Sequence, residues 1–587
     1  MTRLRSRAHF AAVPATAALL LAGTAAAQAV PTDPANAGPC SMSPATVAAM
    51  FDGNHVTLNG VAKAADSTQV LAPDCGFFNW SEQMFLWLTS PAPAAYGGAN
   101  RIMFSPKFFT VSPENSANPP RRTFLAIGPS APLEMLLRKT ELGPHGLPAL
   151  LSRTGHVIEV QRPPPGKPVA PIVRLPNGQT VRLGSARQDP NGTLHLFDAA
   201  GKEVQPARLN LPVIVRPKIV LTPGKPTPVV PLTAFNASVV ANKVVLNGLS
   251  IFIDLKGNVI DVEPGQADDG VLLSQNGSLI YYITVANDVF AYHRTMQGAA
   301  VIPITTNLRF PQTNADANAV KAFAAGKGHT ILEPKALAVE SKSSWIEASA
   351  VATPGDYIQA NAVVPKFDRS NPNKWVLNGK KTVKVVMIGM HVVGGTNSHT
   401  EMVWATFEHL GNTPDAGFDY DSTSGPKHVG QHTGGSWLFT PSGSNGPFNG
   451  PMGPPITHWT GSAIEGAPVG PTTVLRTKPW GTDGSDHTHN TEVIAANASV
   501  ISQLKAGDPR KNYFQVGTTW TIGGAAPSGS NQVGTNQLAN ATIETFMQAK
   551  TPGGPGANCF DCHVSGPMKT VATVAVSHIY RELKPLP

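Results

Sequence analysis

Glycine or proline interrupts this chain roughly every five residues, with 55 glycines and 54 prolines among 587 positions. That spacing leaves little room for long uninterrupted helices. Charged residues make up only 14% of the chain, so the charged faces of a coiled coil or helical repeat are missing as well. The 41% hydrophobic content still supplies a sizeable core, and the length accommodates roughly three to four average domains. The expected fold is β-rich α+β: a large, mainly antiparallel β body with short helices and a small helical segment at the C-terminus.

Arg3, Arg5 and Arg7 precede an apolar stretch from Phe10 to Ala22 and a small-residue run ending at Ala29, the layout of a secretory leader. Ala27-Gln28-Ala29 fits the cleavage site, with a cut after Ala27 as the alternative. A membrane anchor would need a longer run without Pro14. Residues 1–29 are therefore expected to be a signal peptide and the mature chain to be periplasmic or secreted, with no membrane span after cleavage. Losing the three arginines lowers the formal charge from +8 to about +5, too weak a charge over this length to imply a nucleic acid partner.

The four cysteines fall as two distant pairs, Cys40 with Cys75 and Cys559 with Cys562. In an oxidising compartment the first pair is expected to form a disulfide, closing a loop of about 35 residues and contributing roughly 3 kcal/mol. Two buried thiols are the alternative, separable by mass measurement with and without reductant.

The second pair reads Cys559-Phe560-Asp561-Cys562-His563, the C-x-x-C-H attachment signature of a c-type haem. Two thiols three positions apart can form thioethers to the two vinyl groups on one porphyrin edge, which delivers His563 to the iron as proximal ligand. Three alternatives stay open. A dithiol redox pair belongs near the first strand-to-helix turn of a βαβ unit. A zinc site needs two further ligands, one of which His578 could supply. A plain disulfide at this spacing is strained.

The motif resembles that of c-type cytochromes, and the layout is similar to large secreted bacterial proteins of the cytochrome c family, with a long N-terminal region and one haem motif. The resemblance implies one covalent haem c on Cys559, Cys562 and His563, serving a redox partner protein or a small-molecule substrate. In the commonest small cytochromes c the motif opens the domain and a methionine ligand follows many tens of residues later, whereas only 24 residues follow His563 here. An ordinary C-terminal cytochrome c domain is thereby excluded, and the pocket must be completed by the upstream body.

For the opposite face of the iron, Met568 is a poor candidate, since five residues span at most about 17 Å. His578 lies far enough along to reach as a distal ligand, and Met547 is a further option. Bis-histidine ligation would lower the reduction potential, while an open position would permit peroxide or oxygen chemistry. Upstream, Leu538, Thr542, Ile543, Phe546 and Met547 recur at helical spacing, which predicts a helix over 536–549 whose apolar face packs on the haem. Ile579, Tyr580 and Leu583 are expected to cover another part.

Composition shifts divide the rest into an N-terminal α+β region over 30–160, a Pro-rich β module or linker over 161–235, a β-rich main body over 236–535 and the haem attachment segment over 536–587. Helices are expected over 43–50 and 80–88, tied together by Cys40 and Cys75. Strand-like runs occur at 213–215 and 218–221. Asn-Gly pairs at 247–248 and 378–379 predict hairpin turns.

Histidines and carboxylates cluster late in the chain: His391, His399, Glu401, Glu408, His409, His428, His432, His458, His487 and His489. In a strand, His399 and Glu401 share a face, as do His487 and His489, which suits a metal or acid/base site. No spacing matches a known metal motif, and polar loops with hydrogen-bonded β-structure are the competing reading. Two functions remain: an exported c-type haem protein that transfers single electrons, and a haem-dependent oxidoreductase (peroxidase-like, oxygenase-like or dehydrogenase-like) with its substrate site in the β-rich body.

Overall fold

The β-prone run over 374–396 forms one 23-residue strand around which a large sheet is assembled. The structure is a computed structural model that describes residues 29–112 apart from 36 and 37, 271–297, 308–446, 469–527, 531–545, 559–563, 573–577 and 583–587. It also describes shorter stretches between 122 and 260 and between 448 and 465, and residues 548, 579 and 580.

The central sheet comprises β1 (Phe108–Val111), β2 (Phe124–Ala126), β3 (Leu133–Glu134), β4 (Tyr281–Asn287), β5 (Val339–Glu347) and β6 (Gln359–Asn371). It continues with β7 (Lys374–Thr396), β8 (His399–His409), β9 (His458–Trp459), β10 (Ala463–Glu465), β11 (Tyr513–Thr521) and β12 (Gln532–Gly534). The strands lie in the order β2-β1-β4-β5-β7-β8-β11-β12, with β6 and β10 along the first part of β7, β3 against β6 and β9 against β10. Among these strands only β3 with β6 is a parallel pairing. The fold is thus β-rich α+β with a mainly antiparallel body. The described parts of the Pro-rich insertion and of the residues that follow it form separate small sheets.

The helices are α1 (Pro44–Ala49), α2 (Cys75–Thr89), α3 (Asp288–Met296), α4 (Asn314–Gly326), α5 (His487–Gln503) and α6 (Cys559–His563). Ser43 starts α1 by accepting the Thr46 N–H, with Pro44 at the first helical position. α2 is buried on nearly all sides, as its all-round apolar sequence requires. It lies across the back of the sheet, where Phe85 stacks on Phe407 with ring centres 4.3 Å apart. Cys40 and Cys75, with Cα atoms 4.5 Å apart, are joined in a disulfide just before α1 and at the start of α2.

Alternation along β4, β5, β7 and β8 sets out the front face in rows. Ala286, Glu340, Val393 and Trp404 form the first, and Thr284, Lys342, His391 and Thr406 the second. Tyr282, Ser344, Gly389 and Glu408 form the third. The segment 538–545 covers the third row: Tyr282 Oη donates to the Thr542 carbonyl at 2.9 Å, and the Ser344 and Thr542 hydroxyls are 2.7 Å apart. Gly389 is required for this fit, because a Cβ there would sit 2.5 Å from Thr542 Oγ1. The chain's tail covers the first row.

Three expectations are corrected. Of the helix expected over 536–549, residues 536–540 take no regular structure and 541–543 form a turn, while 546, 547 and 549 lie outside the described residues. The Asn540 side chain accepts the Thr542 N–H and the Ala541 N–H is drawn to Glu408 at 2.8 Å, and both compete with helical bonding. Asn378-Gly379 makes no hairpin: β7 runs straight through it, with Gly379 at φ +82° beside a register shift between Pro365 and Phe367 of β6. A positive-φ glycine serves a bulge as well as a turn. His487 and His489 sit in the first turn of α5, after the N-cap Asp486, and not in a strand. The strand runs expected at 213–215 and 218–221, the leader up to residue 28, and His578, Met547 and Met568 lie outside the described residues.

Candidate haem site

Cys559 to His563 form the single helical turn α6, which places the two cysteine positions, three apart, next to each other on one helix face. Cys559 is half-buried. His563 Nδ1 lies 2.7 Å from the Val576 carbonyl oxygen. A carbonyl can only accept, so Nδ1 carries the proton and the imidazole lone pair resides on Nε2. Anchoring one ring N–H on a backbone carbonyl is how a metal-binding histidine is held in its ligating tautomer.

The walls are aromatic and aliphatic. Trp404 of β8 lies against His563 with ring centres 4.2 Å apart and planes inclined by 58°, and its edge meets Phe560 at 5.9 Å. The indole N–H donates to the Glu401 carbonyl at 3.1 Å, which fixes the ring. Phe560, Val574 and Val576 are buried in the same cluster as Val393 and Met402. Met402 holds a φ of +66° inside β8, a conformation costing on the order of 1 kcal/mol or more for a non-glycine residue. The tail is pinned further by Ser577, whose hydroxyl donates to Glu340 Oε2 at 2.6 Å. Burial pushes the Glu340 carboxyl up to about 7, so near neutrality it is partly protonated.

A covalent haem c requires two thiols at this spacing, an imidazole with its lone pair on Nε2 and an apolar lining. The motif, the His563 tautomer and the Trp404–Phe560 wall meet those requirements, and the residues present fit the group.

Of the late histidines, the structure brings His391 to this face. It lies in the second row, diagonal to Trp404, with Nδ1 2.9 Å from Thr406 Oγ1 and Nε2 2.9 Å from Glu544 Oε2. The others are dispersed. His399 pairs with buried Glu401 at 2.8 Å, whose Oε1 also accepts the Thr521 N–H. His409 stacks on Tyr357 with ring centres 3.8 Å apart, and burial pushes it down to about 3, leaving it neutral. Glu408 accepts from Arg476 Nη2 at 2.9 Å, and Asp415 receives the same guanidinium. His428 bonds Asp419 at 2.6 Å, His432 lies beside Trp437, His458 belongs to β9, and His489 bonds Asp486 at 2.8 Å. Among the described residues, only Cys40, Cys75 and Glu492 gather three ligand-type atoms, and those two sulfurs are bonded to each other.

Trp404, Glu340 and Ser577 were not anticipated. A tryptophan and a carboxylate alternating in strands carry no local signal of what lies across the sheet from them.

No known family matches the chain, and neither a curated protein nor a solved structure does. No helix among the described residues is long and apolar enough to cross a membrane.

Proposed function

We propose that this is an exported c-type haem protein of cytochrome c type that performs one-electron transfer, with Cys559 and Cys562 as the thioether positions and His563 as the proximal ligand. The observation that carries the reading is the bond from His563 Nδ1 to the Val576 carbonyl at 2.7 Å, which leaves Nε2 as the donor atom. When bound, the haem supplies an iron that cycles between ferric and ferrous states. The chain's contribution is to hold the imidazole in one tautomer, to wall it with Trp404 and Phe560, and to carry the attachment turn on a rigid sheet. A periplasmic or secreted location suits both the leader and haem attachment.

A second reading, a haem-dependent oxidoreductase with its substrate site in the β-rich body, is favoured by the His391–Glu544 pair beside Trp404. A carboxylate-oriented imidazole there could hold or move a proton.

The test is expression with haem-attachment machinery, followed by mass and optical spectra of oxidised, reduced and carbon-monoxide-treated protein. Electron transfer predicts one covalent haem and a low-spin spectrum indifferent to carbon monoxide. A high-spin site that binds carbon monoxide favours the oxidoreductase. Colourless protein without the added mass overturns both.

A further inference from the structure

A buried polar pair lies beside this site. Tyr580 Oη and His293 Nδ1 are 2.9 Å apart, with Tyr580 only 2% and His293 7% exposed. Phe290 and Phe310 shield the phenol, with ring centres 5.4 and 5.2 Å from it. With the ring proton on Nε2, Nδ1 accepts and the Tyr580 hydroxyl donates. Burial pushes the imidazole down to about 4, which keeps it neutral, with a lone pair for the phenol O–H.

The pair is close to the attachment turn. Tyr580 lies four residues beyond Val576, whose carbonyl anchors His563, and four residues span at most about 14 Å. Tyr580 and Phe560 belong to one apolar cluster. A phenol in such surroundings cannot lose an electron while keeping its proton without leaving a buried cation. A hydrogen-bonded neutral imidazole takes up the proton as the electron leaves, so the charge rests on an imidazolium instead of on a phenol radical cation.

We propose that Tyr580 and His293 form a second one-electron centre, in which Tyr580 donates an electron towards the haem held at Cys559, Cys562 and His563 while its hydroxyl proton passes to His293 Nδ1. The proposal rests on the haem reading. The phenolic O–H bond breaks, the imidazole N–H bond forms, and Tyr580 becomes a neutral phenoxyl radical; no atom leaves the pair. Hydrogen peroxide, the oxidant, would take two electrons and two solvent protons to leave as two waters; Tyr580 supplies one of those electrons, and the haem group, when bound, would supply the other. The positive charge gained by His293 is favoured by Asp316 and opposed by Arg309 and Arg294.

The experiment adds hydrogen peroxide to the haem-loaded full chain and freezes it for electron paramagnetic resonance. A tyrosyl signal is expected in the wild type, reduced at least tenfold in Tyr580→Phe, which keeps the ring packing and removes only the hydroxyl. A nitroso spin trap, mapped by peptide mass spectrometry in the wild type, is expected to label Tyr580 and does not depend on a variant folding. Peroxide that leaves the haem spectrum unchanged, a haem oxidised without a tyrosyl signal, or a signal that persists in Tyr580→Phe overturns the proposal and leaves the haem reading intact. Wild-type protein that matures without haem overturns both.

Discussion

Trp404 lays its indole against the imidazole of His563, ring centres 4.2 Å apart, although the two residues come from a central strand and from the helical turn α6 about 160 positions later. This contact joins the haem motif to the body of the protein. Trp404→Ala is expected to cost about 3–5 kcal/mol, as large-to-small changes of buried aromatics do, and Trp404→Phe much less. Urea unfolding of the two variants measures the difference. Covalent haem, read by mass, should persist in both, with the optical spectrum altered more in Trp404→Ala.

On the proposed reading, the two cysteines and the imidazole have separable roles. Cys559→Ala with Cys562→Ala should abolish covalent haem, so that acidified acetone extracts all of the pigment. His563→Ala should retain the covalent mass and lose the spectrum of a histidine-ligated iron. An unchanged spectrum in that variant would exclude His563 as the proximal ligand.

Arg476, only 1% exposed, ties Glu408 to Asp415, while Glu408 also accepts the Ala541 N–H. Removing one partner strands a buried charge, at about 3–5 kcal/mol. Arg476→Met should therefore lower the urea midpoint sharply. The triple change that also neutralises Glu408→Gln and Asp415→Asn should recover much of the loss, a comparison that one unfolding series makes.

Glu82 on α2 is 4% exposed, and its Oε1 has no hydrogen-bond partner among the described residues. Burial pushes its carboxyl up from 4.5 to about 8. The folded state then binds more protons than the unfolded chain across that interval, so this group lowers stability as pH rises from about 4.5 to about 8. Buried His409, held down to about 3, acts in the opposite sense between about 3 and 6.5. Glu82→Gln should therefore flatten the decline between about pH 6.5 and pH 8, measured as the urea midpoint against pH; an identical slope in the variant would refute the assignment.

Gly389→Ala would force a Cβ to within 2.5 Å of Thr542 Oγ1. The segment leading into the haem motif should lift from the sheet, and limited proteolysis should cut near 538–545 in the variant before the wild type. Equal cleavage rates would mean that the close approach does not hold the segment.

The C-x-x-C-H string could be read directly because its five residues are adjacent in the sequence. The helix starts near Ser43 and within 75–89 were legible for a similar reason, since capping and apolar runs are local. The 536–549 region misled because its apolar spacing is helical, while Asn540, Thr542 and the distant Glu408 offer the backbone other partners. The Asn378-Gly379 pair misled because a positive-φ glycine signals a local bend without saying whether the chain reverses there.

The amino-acid order alone settled what kind of fold this chain could adopt and where two cysteines and a histidine come together, since turn density and a five-residue motif need no distant partner. Only the tertiary structure decided that Trp404 faces His563, that Val576 fixes its tautomer, and that Tyr580 meets His293. The first of those contacts depends on the register of β8 in the sheet, where a shift of a single residue would turn Trp404 to the other face, and the last joins residues 287 positions apart in the chain.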